Sequence, residues 1–214
     1  MEGVFAVYKP KGLTSHQLVE RVKKLTKADK VGHAGTLDPL AEGLLIIGVG
    51  GKNTKKLHAL QKEDKEYLSG VMLGKTSLTG DGEGPISEAS SRKPTIEEIK
   101  KVLKSFEGII DQKPHRFSAI KIRGKKSYQI ARKGQDPDLK PRKVLVKKID
   151  LLSYDYPMLS IRVVTGPGVY IRSLAEDIGS KLKTGAYLKS LKRTRVGKFK
   201  ESDLTSLEDF KKQK

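Results

Sequence analysis

Short apolar runs that end at Pro or Gly alternate along the chain with segments whose apolar residues recur every three or four positions. The short runs predict β-strands, because four to eight apolar residues bounded by turn residues are typical of a buried strand. These predicted strands are Gly3 to the stop at Pro10, Leu44–Gly50, Lys65–Gly74, Lys143–Leu152 and Leu159–Thr165.

The segments with the longer period predict amphipathic helices. The first begins at Ser15, which we expect to cap it, and places Leu18, Val19, Val22 and Leu25 on one face. The second has a capping box of Thr95 and Glu98, an apolar stripe of Ile96, Ile99, Leu103 and Phe106, and a stop at Gly108. A third is predicted at residues 171–182. Strands and helices follow each other irregularly, which predicts an α+β fold with a mixed sheet rather than repeated βαβ units.

The chain has a net charge of +19, and its positive charge is concentrated in two segments. Residues 113–147 carry a net +10 and residues 181–200 a net +8, so the remaining chain is nearly neutral. Two such segments favour a polyanionic partner such as a nucleic acid, although solvated lysines that only aid solubility give the same count. Residues 113–143 have weak periodicity and predict an extended arm with a short helix near residues 128–132.

Several classes of chemistry are disfavoured by the composition. The chain has no cysteine, which removes disulfides and thiol catalysis, and its four histidines lack metal-ligand spacing, so we expect no metal. It has no apolar run long enough for a membrane helix and no signal peptide, so a cytoplasmic protein is expected. Asp81 and Glu83 in the loop TGDGEG could bind a cation, but a solvated turn is the favoured interpretation.

Asp38 is the one acidic residue whose position suggests chemistry. It lies in GHAGTLDPLAEGLLIIGVG, residues 32–50, between a Gly-rich loop and a predicted buried strand. An LDP sequence alone is a common turn. A carboxylate held at the end of a sheet in a basic chain, however, points to covalent or acid–base work on a nucleic acid.

That stretch closely resembles the catalytic motif of the TruB family of tRNA pseudouridine synthases. Other segments resemble family motifs in the same order: KPKGLTS, KEYLSGVMLGKTSLTGDGEG, FSAIKIRGKKSYQIARKG, GVYIRSLAEDIG and LKSLKRTRVGKF. His115, where a second proline is common, and Tyr187, where a histidine is common, depart from the family pattern. The resemblance implies a pseudouridine synthase fold, α+β with a curved mixed and largely antiparallel sheet flanked by helices. It also implies isomerisation of uridine-55 in the T-loop of tRNA, without a cofactor.

The resemblance assigns roles to six residues. Asp38 matches the catalytic aspartate, as nucleophile or as base, and Arg172 matches the arginine that pairs with it. Tyr67 matches the tyrosine that stacks on the uracil and assists the final proton removal. His33 matches the residue that fills the space left by the flipped base. Tyr170 matches a second substrate-contacting aromatic residue, and Leu191 one whose backbone meets the uracil edge.

The domain expected from the resemblance is a single catalytic domain over residues 1–214, in which residues 113–143 correspond to a mobile thumb. Bacterial relatives usually carry a C-terminal RNA-binding PUA domain, and because the sequence ends at Lys214 we expect none here. We expect a monomer that binds the T-arm of tRNA. Two alternatives stay open: a non-catalytic RNA-binding or tRNA-folding protein on the same scaffold, and a pseudouridine synthase with a different RNA target.

Overall fold

The computed structural model describes residues 1–122 and 124–211. They form two compact units, residues 1–68 with the described part of 191–214 (unit 1) and residues 69–190 (unit 2). The strands are β1 (Gly3–Lys9), β2 (Val31–Ala34), β3 (Glu42–Val49), β4 (Lys65–Leu73), β5 (Lys75–Ser77), β6 (Ile86–Glu88), β7 (Gly108–Gln112), β8 (Lys121–Ile122), β9 (Lys125–Lys126), β10 (Arg142–Asp155), β11 (Met158–Thr165), β12 (Ala186–Val196), β13 (Phe199–Lys200) and β14 (Leu204–Thr205). The helices are α1 (Ser15–Thr26), α2 (Gly51–Gln61), α3 (Ile96–Lys104), α4 (Ser127–Ala131) and α5 (Ile171–Lys181), with one 3₁₀ turn at Glu201–Asp203.

Unit 1 is built on strand β3, which is buried along almost its whole length. Its strands are hydrogen-bonded in the order β14-β1-β3-β12-β4, with β2 also paired to β3 and β13 to β12. Alternate residues of β3 enter two apolar clusters: Leu45 and Ile47 pack with α1, whereas Leu44 and Ile46 pack with Leu57 of α2. Because successive strand residues face opposite sides of a sheet, α1 and α2 cover opposite faces of β3. Burial on both faces explains why this stretch is a continuous apolar run.

Unit 2 has the strand order β12-β4-β11-β10-β7, and β4 and β12 each have residues in both units. The pairs β10–β11 and β10–β7 are antiparallel, and β5–β6 and β8–β9 form two separate hairpins. Parallel pairing occurs between β1 and β14 and between β3 and β12. The α+β fold with a mixed, largely antiparallel sheet is therefore confirmed. The predicted single domain over 1–214 includes residues 123 and 212–214, which lie outside the described residues, and it stays a prediction.

Local boundaries correct the sequence prediction at three points. The N-cap of α1 is Thr14 rather than Ser15, because the Thr14 side chain accepts a hydrogen bond from the backbone of Gln17. Helix α3 keeps its predicted capping box but ends at Lys104, four residues before Gly108. Helix α2 was missed, and the short helix predicted in the arm is confirmed as α4.

No helix within the part of the chain that the structure describes is long and apolar enough to span a membrane.

Candidate active site

Asp38 lies on the loop that joins β2 to β3 in unit 1, and hydrogen bonds fix this loop on both sides of the residue. The buried Ser15 hydroxyl donates to the carbonyl oxygen of Leu37 (3.0 Å) and accepts from the Leu37 amide (2.9 Å). On the other side, the Gly12 amide donates to the carbonyl oxygen of Pro39 at 2.8 Å. The half-buried Asp38 carboxylate is thus carried by a backbone with little freedom to move.

His33 lies on β2, five residues before Asp38. Its ring is half-buried, and its Nδ1 atom is buried without a hydrogen-bond partner among the described residues. Burial lowers the pKa of His33, and the nearby positive charges of Arg193 and His16 lower it further. A neutral imidazole is therefore expected at pH 7.

Tyr67 on β4 and Leu191 on β12 also belong to unit 1, and each side chain is only 8% exposed. The Tyr67 hydroxyl lies beside the guanidinium of Arg193, whose pKa is lowered by burial and raised to a smaller extent by Tyr67. Four of the six predicted site residues, Asp38, His33, Tyr67 and Leu191, are therefore carried by unit 1.

Arg193 is a member of this site that the sequence prediction missed. Its side chain is 1% exposed, and it donates from Nε to the carbonyl oxygen of Leu44 (2.8 Å) and from Nη2 to that of Gly35 (3.0 Å). These carbonyls stand at the two ends of the Asp38 loop. The sequence shows Arg193 among eight basic residues of 181–200, where nothing separates the buried cation from its exposed neighbours.

Tyr170 immediately precedes α5 in unit 2, and its main chain is held by the amide of the buried Gln112. The Tyr170 amide donates to Gln112 Oε1 (2.8 Å), and Gln112 Nε2 donates to the Tyr170 carbonyl oxygen (3.1 Å). The Arg142 guanidinium lies over the Tyr170 ring, 5.3 Å from its centre, and donates to the carbonyl oxygen of Gly168 at 2.7 Å. Both the backbone and the ring of Tyr170 are therefore restrained.

Arg172 lies in the first turn of α5 and is 6% exposed. Its Nη1 atom is 3.4 Å from Oδ2 of Asp81 and donates to the carbonyl oxygen of Thr79 (3.1 Å), and its Nη2 atom donates to that of Phe117 (2.9 Å). These contacts place the guanidinium between the TGDGEG loop and the base of the arm.

Asp81 corrects the interpretation of that loop as a solvated turn. The carboxylate is 2% exposed, and its Oδ1 atom accepts from the Thr79 hydroxyl (2.6 Å) and from the Glu83 amide (3.0 Å). A buried charge needs a partner, and Arg172 supplies it from a position 91 residues away. The predicted pairing of Arg172 with Asp38 would join residues of the two units and stays a prediction.

The described residues contain no group of three or more His, Asp or Glu side chains that could hold a metal ion.

Two family models together match residues 23–214. Residues 23–171 match the TruB family pseudouridylate synthase N-terminal domain, and residues 172–214 match the tRNA pseudouridylate synthase B C-terminal domain. Among curated relatives, tRNA pseudouridine synthase B of Endomicrobium trichonymphae is 42% identical over 98% of this chain and 91% of its own length. The protein of the same name from Clostridium tetani is 41% identical over 98% of this chain and 73% of its own length.

Solved structures give the same result for the fold. A Cbf5-Nop10-Gar1 complex contains a chain that is 34% identical with a TM-score of 0.76, covering 97% of this chain and 53% of that one. An H/ACA RNP bound to a substrate RNA gives 31% identity and a TM-score of 0.73, covering 97% of this chain and 51% of the other. This chain spans about half the length of those solved chains. On the family models and the relatives that match nearly its full length, the chain belongs to the TruB family of pseudouridylate synthases.

Proposed function

We propose that this protein isomerises a uridine of tRNA to pseudouridine, at uridine-55 in the T-loop, with Asp38 as the catalytic group. The observation that carries the proposal is the Asp38 carboxylate itself, half-buried on a loop fixed on both sides, within a family motif. A carboxylate is sufficient for this reaction, because the isomerisation involves no net oxidation and consumes no second substrate.

The reaction breaks the bond between uracil N1 and the ribose C1′ atom and forms a bond from C1′ to C5. The proton on C5 is then lost, and N1 gains one. Asp38 acts either by attacking the sugar carbon or by removing a sugar proton, and both routes use the ionised carboxylate. The restrained backbone at Leu37 and Pro39 keeps this carboxylate in one place while the base turns.

The other predicted residues bind and orient the nucleotide. The target base has to leave the RNA stack, which costs a few kcal/mol. We assign His33 to the space that the flipped base leaves, and its expected neutral state avoids burying a second charge there. Tyr67 stacks on the uracil and assists removal of the C5 proton, the Leu191 backbone meets the uracil edge, and Tyr170 gives a second aromatic contact. Arg172 pairs with the Asp38 carboxylate and orients it.

The arm at 113–143 is the proposed thumb that closes on the T-arm. It has exposed cations on and around α4, and Lys126 and Arg132 lie over the ring of Tyr128 at 5.7 and 5.4 Å. Cations at this density suit an RNA backbone, where contacts to phosphates position the protein. We propose that the active form is a monomer.

The choice of tRNA over another RNA rests on the curated relatives. Proteins named tRNA pseudouridine synthase B match this chain at 36–43% identity, and the solved H/ACA protein chains match it at 30–34%.

The test is tritium release from tRNA transcribed with C5-labelled uridine, followed by mapping of the modified position with carbodiimide and primer extension. We expect release from the wild-type protein and one block to extension, in the T-loop. Asp38→Asn keeps the size of the side chain but removes the carboxylate, so the rate should fall by at least about a thousandfold, or about 4 kcal/mol. Binding of tRNA should change by less than threefold.

The matched control is Asp29→Asn, an exposed aspartate of unit 1, which should leave the rate unchanged. Wild-type protein that binds tRNA but releases no tritium would instead favour the non-catalytic RNA-binding protein. Modification outside the T-loop would contradict the proposed target but leave the enzyme class intact. Turnover by Asp38→Asn at a rate near that of the wild type would exclude Asp38 as the catalytic group.

A further inference from the structure

Arg193 is a buried cation that the reaction as described above does not use. It is the largest of the fully buried side chains of unit 1, and burial lowers its pKa. Among the described residues no carboxylate lies within salt-bridge distance of it. Since a buried charge is costly unless its donors are satisfied, this arginine must be held by other contacts.

Those contacts come from three separate segments of the chain. Arg193 donates from Nε to the Leu44 carbonyl oxygen and from Nη2 to the Gly35 carbonyl oxygen, at 2.8 and 3.0 Å, and the Tyr67 hydroxyl lies beside its guanidinium. Gly35 and Leu44 bracket the loop that carries Asp38, and Tyr67 comes from β4. One planar guanidinium with five donors thus joins the predicted catalytic loop to the predicted stacking residue.

The backbone shows why the side chain reaches this place. Strand β12 runs parallel to β3 with Arg193 opposite Gly43, at the point where the Asp38 loop enters the strand. Gly43 has a φ of +103°, and a Cβ atom built on it would lie 2.3 Å from the Arg193 carbonyl oxygen. The close approach of the two strands at Gly43 therefore fixes where Arg193 lies relative to the loop that carries Asp38.

The positive charge also acts on its neighbours in unit 1. It contributes to the lowered pKa of His33 and, after burial, to the pKa of about 8 at Lys65. At 1% exposure the guanidinium cannot reach a phosphate of the RNA backbone. Its effect has to pass through the residues it contacts.

We propose that Arg193 is a positioning residue that couples the Asp38 loop to Tyr67 and so fixes the catalytic carboxylate relative to the stacked uracil. This inference rests on the proposed function, because it assumes that Asp38 and Tyr67 act on one nucleotide. Lysine cannot replace arginine in this role, since a point charge on a flexible stem does not reproduce the rigid fork that bonds both carbonyl oxygens beside Tyr67.

The test compares Arg193→Lys with Arg195→Lys in single-turnover reactions on tRNA. Arg195 is the matched control, because it lies on the same strand, is half-buried and donates to the Gly197 carbonyl oxygen, two residues away. We expect Arg193→Lys to lower the single-turnover rate constant at least tenfold, with full reaction amplitude and tRNA affinity within threefold of wild type. Arg195→Lys should retain the wild-type rate constant.

The folded fraction, measured by circular dichroism on the same samples, separates positioning from simple loss of fold. If Arg193 only stabilised the protein, its replacement would reduce the folded fraction, while the single-turnover rate constant at saturating folded enzyme stayed unchanged. A wild-type rate constant in Arg193→Lys would therefore overturn the proposal. If the wild-type protein itself releases no tritium, the proposed function fails, and that outcome is distinct from failure of this inference.

A second measurement tests the coupling to Tyr67. Tyr67→Phe removes the hydroxyl that Arg193 contacts but keeps the ring. The double variant should be no more than about threefold slower than the slower single variant, because both changes break the same link. If the fold-decreases in rate constant of the two single variants multiply in the double variant, the two residues act independently, and the proposed coupling is overturned.

Discussion

Replacing Asp81 with asparagine removes one charge from a buried ion pair and leaves almost everything else in place. The carboxylate Oδ1 atom accepts from the Thr79 hydroxyl and the Glu83 amide, and the carbonyl oxygen of asparagine can accept both bonds. The Oδ2 atom faces Arg172 Nη1 at 3.4 Å, and there the variant presents an NH₂ group to another donor. The substitution therefore isolates the contact with Arg172.

The distance and burial set the expected loss. Two unit charges 3.4 Å apart attract by about 5 kcal/mol at an effective dielectric constant of 20. Relief from burying the carboxylate offsets part of this, so the expected loss is about 3 kcal/mol, at the low end for a broken buried pair. For a chain of this size that corresponds to a decrease in Tm of about 6–12 °C.

The control is Asp111→Asn, which breaks an ion pair of the same N–O distance on the surface. Lys143 Nζ lies 3.4 Å from Asp111 Oδ2, but the two side chains are 75% and 64% exposed. Solvent screening limits such a pair to about 0.2–1 kcal/mol. Thermal and urea unfolding of both variants should give a much larger loss for Asp81→Asn, and equal losses would refute the claim that burial sets the strength of the Arg172 pair.

Two further predictions concern stability alone. Burial, followed by the charge of Glu176, raises the pKa of Asp177 to about 6. The folded state therefore holds this proton more tightly than the unfolded state, and the contribution to stability falls as the pH rises from about 4 to about 6. Asp177→Asn should remove that fall. It should raise the free energy of unfolding at pH 7 by about 1 kcal/mol more than at pH 4, since partial exposure reduces the full effect. Urea unfolding at both pH values measures this difference, and equal effects at the two pH values would contradict the prediction. Gly43→Ala should cost about 3 kcal/mol, because its Cβ atom would overlap the Arg193 carbonyl oxygen at a positive φ, whereas Gly51→Ala, with open space around it, should be neutral or slightly stabilising. Similar values for the two alanine variants would show that the close approach at Gly43 is not rigid.

Elements with a clear apolar period could be predicted from the sequence, and elements without one could not. Strand β3 is a continuous apolar run, and α3 has both a stripe and a capping box, so each was identified within a few residues. Helix α2 was missed because Leu57 is its single buried residue, which leaves no apolar stripe. Strand β12 was missed because the buried neighbours Arg193 and Thr194 break the alternation that identifies a half-buried strand.

The prediction of Ser15 as the N-cap of α1 was wrong for a different reason. Thr14 and Ser15 both carry a hydroxyl group at the start of the helix, and local rules cannot choose between them. The structure gives the cap to Thr14 and uses Ser15 to hold Leu37, which is 22 residues away. A residue that looks like a cap in the sequence thus supports the loop of Asp38.

In the candidate site, too, the residues of a local motif could be predicted, whereas contacts between residues far apart in sequence could not. The family motif led to Asp38 and Arg172, but it gave no sign that Arg172 pairs with Asp81 or that Arg193 brackets the Asp38 loop. Both partnerships join residues far apart in sequence, and in both the deciding quantity is burial. Composition reports only the sum of charges and cannot tell a buried guanidinium from a solvated one.

Burial also divides the basic residues of this chain into two physical classes. Exposed lysines and arginines of the arm interact with a polyanion through water, so their contribution to RNA affinity has to weaken as salt rises. Arg172 and Arg193 are 6% and 1% exposed and are held by carbonyl oxygens, with Asp81 paired to the first, so salt screens them little. Under the proposed function, the first class would control how tightly RNA is held, and the second would control the geometry in which a bound uridine meets the carboxylate. The net charge of +19 thus includes many exposed cations, whose individual positions matter little for binding a polyanion, and a few buried ones held in fixed positions. Only the structure distinguishes the two classes.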